Sequence, residues 1–353
     1  MICILHGYLL EGSGSNLWTR AIVESLCRQG ETVHLMAQEN HPERYPFITE
    51  ARSYRPDGTC ETVFRRESPD PGCCVLHKPA LGEVLPVYVW DSYEEFARPT
   101  AMVELSDAEI EEYLERNVRA LLRIVRENGV TAIHANHAVL MSVVALRVSR
   151  ATGIPFAVMP HGSALEYAVK RDRRFLRMAT EAFTEAGRVF VHGEEMRRRV
   201  CDTLPDVPGL DDKFSELHLG VDTSQFEPVD RAGRRGSIAR LVEALAGLPR
   251  GRTAAQTEGL RARLRGDMDT PELLEAFAPA REFDGKTPDA DLEAKLDAVD
   301  WERDATLLYV GRLISAKGVQ GIVAALPLLL ERRPELRLLV VGHGPLREPR
   351  EAL

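Results

Sequence analysis

Several things are scarce in this 353-residue sequence, and each scarcity excludes something. Aromatic residues make up only 6%, and no apolar run approaches the roughly 20 residues that a membrane-crossing helix needs. The start, Met1-Ile2-Cys3-Ile4-Leu5-His6, has neither a basic segment nor a small-residue cleavage pattern, so it reads as a first strand rather than a secretory leader. The six cysteines, Cys3, Cys27, Cys60, Cys73, Cys74 and Cys201, include no C-x-x-C pair. Adjacent Cys73-Cys74 suits neither zinc nor a disulfide, and reduced thiols in a cytoplasmic protein are the expectation. Basic residues do not predominate either. Lys and Arg number 45 against 54 Asp and Glu, a formal net charge of −9, which argues against a general nucleic-acid binder.

What is present is ordinary in bulk and informative in order. Hydrophobic content of 44% and charged content of 28% fit a soluble globular protein, and the length favours two domains. Strand, loop and helix patterns follow one another from the start. Ile2–His6 reads as a strand, Asn16–Gln29 as a helix capped by Ser13 or Ser15 and ended by Gly30, and Thr32–Met36 as a buried strand. That is a βαβ unit, which implies a parallel sheet. Ser106–Asn128 reads as a helix with Ser106 and Glu109 as a capping box and Gly129 as its stop. Alternation continues through strand Val130–His134, helix Val139–Thr152, strand Pro155–Met159, helix Lys170–Ala186, strand Arg188–Val191, helix Glu194–Thr203 and strand Ser215–Leu219. The expected fold class is therefore α/β, a doubly wound sheet with ligands at the strand C-terminal ends. His6, His134, His137, His161 and His192 all fall at or just after such ends.

Two segments break the pattern. Residues Asn40 to Arg98 read as an irregular excursion, rich in Pro, Arg, Glu and Gly and interrupted by one strand, Leu85–Trp90. From Val229 to Asp300 the sequence reads as polar and helical, with pieces Ile238–Ala246, Pro271–Phe277 and Asp289–Leu296 and no strand. Asp267-x-Asp269 and Asp289-x-Asp291 have the form of a metal-holding pair, but neither follows a buried strand that would fix the carboxylates. Alternation resumes with strand Ala305–Val310, helix Val319–Arg332 and strand Leu336–Val341. The expected organisation is a domain over 1–227, an insertion or linker over 228–303, and the start of a second domain over 304–353.

Three glycine loops invite a phosphate reading. Gly12-Ser13-Gly14-Ser15-Asn16 lacks the third small residue of a dinucleotide fingerprint, since Leu17 stands there, and Gln38-Glu39 is a weak match for its ribose acid. Gly342-His343-Gly344 lacks it too, with Arg347 in its place. The third, Val310-Gly311-Arg312-Leu313 through Lys317-Gly318, joins a strand to a helix, where free backbone N–H groups and the helix dipole favour an anion. Arg312 and Lys317 bracket that loop, and two cations suit a diphosphate. Taken alone, an ordinary strand-to-helix turn satisfies the same sequence.

Taken together, Glu11–Asn16, Pro160-His161-Gly162, Leu219-Gly220-Val221-Asp222-Thr223-Ser224-Gln225-Phe226, and Val310–Gly318 followed by Val341-Gly342-His343-Gly344-Pro345-Leu346 resemble glycosyltransferase family 4. These are retaining, nucleotide-sugar-dependent enzymes of the GT-B fold, with an N-terminal Rossmann-like acceptor domain and a C-terminal Rossmann-like donor domain. The resemblance implies that Arg312 and Lys317 grip the donor diphosphate and stabilise the leaving group. Gly12, Gly14, Gly311, Gly342 and Gly344 would approach the donor, and His161 would touch the transferred sugar through a hydroxyl. Asn16, His137 and Glu166 would face the acceptor, while Asp222 and Phe226 would hold the chain where it leaves the first domain. It implies no cofactor and no required metal, only a nucleotide diphosphate sugar as co-substrate. The acceptor would be a small molecule, a glycan or a lipid-linked molecule. With no carboxylate nucleophile in the matched motifs, a same-face route is the expected course of retention.

One departure bears on activity. The family's donor site includes two glutamates separated by seven residues, and the 353 residues contain only about the first 50 of that domain. The expectation is a fragment whose catalysis belongs to a longer protein and whose last sheet has an uncovered edge. A nucleotide-sugar epimerase of the same architecture and a non-catalytic sugar-nucleotide-binding protein are the alternatives. The basic run Lys170-Arg171-Asp172-Arg173-Arg174-Phe175-Leu176-Arg177, with Arg197-Arg198-Arg199, suits an acidic acceptor or peripheral contact with an anionic membrane, and equally a solvated helix face.

Overall fold

The first sheet reverses direction at its first strand, and that reversal places the site. In the computed structural model the chain divides into two units, Met1–Gly220 and Val221–Leu353. The structure describes residues 1–88, 96–218, 220–223, 226–263, 268, 270–276, 287–314, 317–344 and 347. Among the described residues no helix is long and apolar enough to cross a membrane.

The first unit opens with β1 (Ile2–Leu5), α1 (Gly14–Arg28) and β2 (Thr32–Met36). Next come β3 (Ile48–Tyr54), β4 (Cys60–Arg65), β5 (Cys73–Lys78), β6 (Val84–Val87) and β7 (Arg98–Ala101). After α2 (Asp107–Asn128), β8 (Ala132–Asn136), α3 (Met141–Thr152) and β9 (Phe156–Met159), a single turn α4 (Gly162–Ala164) runs into a π-turn over Leu165–Val169. The unit finishes with α5 (Arg173–Glu185), β10 (Arg188–Val191), α6 (Glu194–Thr203), α7 (Leu210–Lys213) and β11 (Phe214–Glu216). The main sheet runs β11-β10-β9-β8-β1-β2-β5-β3-β4, and only the β3/β4 pair is antiparallel. Successive strands leave β1 first to one side and, from β8 onward, to the other, so the switch point lies between β1 and β8.

Alternation along β1 shows how the core is split. Cys3 and Leu5 pack with α2, α3 and α5 on one face, while Ile4 packs with Val23 and Cys27 of α1 on the other. Helix ends follow local chemistry. Ser13 caps α1, Ser106 and Glu109 form both halves of a capping box on α2, and Gly129 ends α2 in the left-handed region at φ 62°.

Four expectations need correction here. The stretch 40–98 is not a mere excursion: β3, β4 and β5 belong to the main sheet, with β5 inserted between β2 and β3. The strand expected at Leu85–Trp90 is β6, Val84–Val87, and 89–95 lie outside the described residues. The strand expected at Val130–His134 runs instead over Ala132–Asn136, because Gly129 turns the chain and Thr131 N–H first bonds Met1 O at 2.9 Å. The helix expected from Lys170 starts at Arg173, because the Asp172 carboxylate accepts from Arg174 N–H at 2.8 Å.

The second unit carries α8 (Arg231–Ala244), α9 (Ala254–Arg261), α10 (Thr270–Ala276) and α11 (Leu292–Asp297), then β12 (Ala305–Val310), α12 (Val319–Arg332) and β13 (Leu336–Val341). β12 and β13 pair in parallel from Ala305/Leu336 to Val310/Val341, so β12-α12-β13 is a βαβ unit. Leu308 and Val310 alternate onto one face of this sheet and are 64% and 70% exposed. Phe226, expected to pin the domain exit, is 67% exposed. Asp267 and Asp269 lie outside the described residues; Asp289 and Asp291 both bond Lys295.

Candidate functional site

The C-terminal edge of the first sheet gathers histidines from separate strands. His6 follows β1, Asn136 ends β8 with His137 behind it, His161 follows β9, and His192 follows β10. His134 lies inside β8 rather than at its end. Side-chain amides and hydroxyls knit His6, His134 and His161 together. His6 Nε2 lies 3.0 Å from Asn16 Oδ1, and His6 Nδ1 lies 3.1 Å from Thr19 Oγ1. Asn136 Nδ2 donates to Thr19 Oγ1 at 2.9 Å, while Asn136 Oδ1 lies 3.2 Å from His134 Nε2 and 3.3 Å from His161 Nε2.

Aromatic rings complete this wall. Trp18, on α1, stacks on His134 with centroids 5.8 Å apart and meets His161 edge-on at 5.6 Å. Phe190 covers His134 at 5.6 Å. His137 is enclosed by His161 at 4.8 Å, Tyr88 at 4.8 Å, Tyr8 at 5.4 Å and His6 at 5.6 Å.

His137 is the outlier of the group. It is 1% exposed, and neither of its ring nitrogens has a hydrogen-bond partner. A buried polar group left so costs about 1–3 kcal/mol. Its backbone is also strained: His137 (φ 73°), Leu140 (φ 63°) and His161 (φ 47°) are the non-glycine residues with positive φ among the described residues, and all lie at this edge. Burial pushes the His6 and His134 imidazoles down to about 4 and His161 to about 3, the last with the neighbouring histidines adding to the effect. His137 is driven well below the ordinary value for the same first reason. At neutral pH His6, His134, His137 and His161 are therefore uncharged.

The other expected contacts are placed less openly. Asn16 is 6% exposed and uses its carbonyl on His6 and its amide on Glu11 O, which ties down the first glycine loop. Gly12, exposed at φ 91°, holds a turn that glycine adopts without strain, whereas a Cβ on Gly14 would meet nothing within 4 Å. Glu166 is held by Lys170 at 2.6 Å and Arg199 at 2.8 Å, which lower its carboxyl, so it meets cations of its own chain. Part of the basic run is neutralised in the same way. Arg174 bonds Asp172 and Asp107, Arg197 bonds Asp211, and Arg199 also reaches Glu195. Glu39 is not a ribose-binding acid. Buried at 5% exposure, it accepts from Leu10 N–H at 3.1 Å, His41 N–H at 2.8 Å and Tyr45 O–H at 3.3 Å.

In the second unit the two glycine loops are docked backbone to backbone. Gly311 N–H bonds Val341 O at 3.0 Å, and Leu313 N–H bonds His343 O at 2.8 Å. Gly344, at φ 142°, leaves no room for a side chain against Leu313. Arg312 lies in the first loop, half-buried, with its guanidinium lowered by burial, and Lys317 is exposed beside Gly318. Gly318, at φ 71°, opens α12, and no side chain caps that end. The loop therefore presents a helix start and two cations, an arrangement that suits an anion. Ser315, Ala316, Pro345 and Leu346 lie outside the described residues.

Sequence reasoning found the histidines by their strand-end positions, weighed Glu39 only as a ribose acid, and missed Asn136, Thr19 and Trp18. For Asn136 the signal existed, but placing the strand end at His134 hid it.

Comparison with known proteins follows the same division. Residues 89–225 match the model of Glycosyltransferase Family 4, and residues 294–353 match that of Glycosyl transferases group 1. No curated protein sequence matches significantly. Among solved structures, sucrose-phosphate synthase from Thermosynechococcus elongatus superposes with a TM-score of 0.54 at 17% identity, covering 97% of this chain and 62% of that one. An α,α-trehalose-phosphate synthase from Burkholderia xenovorans, in complex with glucose-6-phosphate, gives 0.48 at 12% identity, covering 99% and 67%. UDP-GlcNAc 2-epimerase from Neisseria meningitidis gives 0.42 at 9%, covering 100% and 68%. The chain thus spans 62% of the length of the sucrose-phosphate synthase. Matched in order on two α/β units, both family models support a glycosyltransferase of the family 4 type, and the chain has the GT-B fold.

Proposed function

We propose that the protein transfers a sugar from a nucleoside diphosphate sugar to an acceptor with retention of configuration. The observation that carries this reading is the docked pair of glycine loops, with Arg312 and Lys317 at the uncapped start of α12. A diphosphate at that start meets backbone N–H groups and two fixed cations as negative charge builds on the departing nucleotide. Those cations supply the stabilisation that a metal supplies elsewhere, so turnover should survive chelation.

The histidine wall supplies the complementary chemistry. His161 meets a hydroxyl of the transferred sugar, and His137 offers two unpartnered ring nitrogens to an acceptor hydroxyl. Glu39 and Glu166, which follow β2 and β9, are engaged with their own chain, which favours the same-face route over a carboxylate nucleophile. In that route a donor phosphate oxygen takes the acceptor proton.

The test is a panel of nucleotide sugars, with nucleotide release followed in the presence and absence of acceptors. Arg312→Ala and Lys317→Ala should each lower turnover about 10²-fold or more with the circular dichroism spectrum unchanged. Full activity in both variants sinks the assignment. Tight sugar-nucleotide binding without release under any acceptor favours a binding protein instead.

A further inference from the structure

We propose that Asn136 fixes His161 with its ring proton on Nε2, so that His161 presents a bare Nδ1 lone pair and the site selects sugars bearing a neutral hydroxyl at that point over sugars bearing a carboxylate. The ligand in this inference rests on the donor reading above, but the tautomer does not.

The proton positions follow from counting donors. The amide nitrogen of Asn16 donates to Glu11 O, so Asn16 Oδ1 faces His6, and His6 must carry its proton on Nε2 to use that contact. His6 Nδ1 is then an acceptor. Thr19 has one hydroxyl proton and two acceptors in reach, Ser15 O at 2.8 Å and His6 Nδ1 at 3.1 Å. Whichever takes the proton, Thr19 Oγ1 can only accept from Asn136, 2.9 Å away. This fixes the Asn136 amide with its nitrogen toward Thr19 and His6 and its oxygen toward His134 and His161. An amide oxygen only accepts. Both histidines therefore donate from Nε2, and a neutral imidazole with Nε2–H has its lone pair on Nδ1.

Among the described residues no carboxylate bonds His161, so none of them holds a second proton on its ring. Glu166 is satisfied by Lys170 and Arg199, and Glu39 by two backbone amides and Tyr45. No protein hydrogen bond engages His161 Nδ1 among the described residues, and the residue is only partly buried, so the lone pair is open to a ligand. A hydroxyl can donate to that lone pair. A carboxylate, which has no proton to give near neutral pH, places its own lone pairs against it and loses its water without compensation. Asn136 is thus a positioning residue that acts through His161.

Two measurements on the full chain decide the matter. In ¹⁵N-resolved NMR of the free protein at pH 7, with the His161 signals assigned by their absence in His161→Gln, Nδ1 should resonate as unprotonated and Nε2 as N–H. The opposite tautomer overturns the proposal whatever the enzyme's substrate. In Asn136→Asp, a near-isosteric change, the added negative charge should shift His161 toward the doubly protonated ring, turning Nδ1 into a donor. Second, a nucleoside diphosphate hexose and the corresponding hexuronate are compared by equilibrium binding and by kcat/KM. The hexose should be favoured about 10²-fold or more in the wild type, and Asn136→Asp should narrow that ratio at least tenfold. Equal use of both sugars by the wild type, or an unchanged ratio in Asn136→Asp, overturns the selectivity. The expected tautomer with no binding of either sugar nucleotide refutes the donor reading and, with it, the use assigned to His161.

Discussion

Gly342 stands directly against Gly311: a Cβ built on Gly342 would come within 1.9 Å of the Gly311 carbonyl oxygen. The atom it would strike is backbone, which cannot swing aside as a long side chain can. Two loops that each carry part of an incomplete glycine fingerprint are thus glycine-rich in part because they pack on one another.

The first prediction follows from that contact. Gly342→Ala should destabilise the second unit by about 1–3 kcal/mol or more and displace the Arg312 loop, weakening nucleotide binding. Gly321→Ala is the matched control: a Cβ there meets nothing within 4 Å, and the residue lies inside α12. That change should be neutral or stabilising by about 0.5–1 kcal/mol. Denaturant melts of the two variants decide it. Equal effects of the same sign would mean that the loops are free to separate.

Buried histidines set the acid limit of the first unit. His34 Nδ1 and His77 Nε2 lie 2.9 Å apart, and Tyr54 O–H meets His77 Nδ1 at 2.8 Å. Burial lowers His34 to about 4 and His77 further, alongside His6, His134 and His161. The unfolded chain binds these protons near pH 6.5, whereas the folded chain refuses them until about pH 4. Stability is therefore whole above pH 6.5 and falls as the pH drops from there toward 4. The depressed carboxylates, such as Glu50 and Asp172, begin to matter only below about pH 5, so the interval from 6.5 to 5 isolates the histidines. Urea midpoints measured across that interval should fall steadily; a flat profile contradicts neutral burial.

How much of this was readable in advance depended on range. Arg188–Val191, Glu194–Thr203, Ala305–Val310, Val319–Arg332 and Leu336–Val341 have the bounds their local patterns indicate, because periodicity and breakers set them. β4 shows the opposite case. Its Cys60-Glu61-Thr62-Val63-Phe64-Arg65 is mostly exposed at a sheet edge, so no alternation marks it, and β5 is a strand because it slots between β2 and β3. The histidine wall was legible as a set of histidines near strand ends, four of which follow a strand while His134 lies inside β8. Its wiring was not, since Asn136 meets His6 and Thr19 only after β8 pairs with β1 across 130 and 117 residues of chain.

Glu39 offers a third test, of how the first glycine loop is held. Its carboxylate ties Leu10 and His41 N–H groups and the Tyr45 hydroxyl at the tip of β2. Glu39→Gln replaces one acceptor oxygen with a donor, which then faces an N–H group. A loss of about 2 kcal/mol is expected, with faster proteolytic cleavage between Tyr8 and Asn16. Unchanged cleavage would show that the loop is fixed by Asn16 alone.

His137 gives the last and most discriminating case, because there stability and function should move in opposite directions. Its two ring nitrogens are buried without partners, and its backbone sits at φ 73°. Replacing the imidazole by an apolar side chain of similar volume removes the unmet polar groups and keeps the contacts with Tyr8, Tyr88 and His161. His137→Leu should therefore raise the stability of the first unit by about 1 kcal/mol, since relief of two unsatisfied nitrogens outweighs the small left-handed penalty of leucine. The same change should lower acceptor-dependent turnover at least tenfold while leaving nucleotide binding by the second unit intact. A polar group kept at a cost to stability points to a use in binding. Thermal melts and acceptor titrations on one preparation read both effects, and a destabilised His137→Leu would mean that the nitrogens were never orphaned.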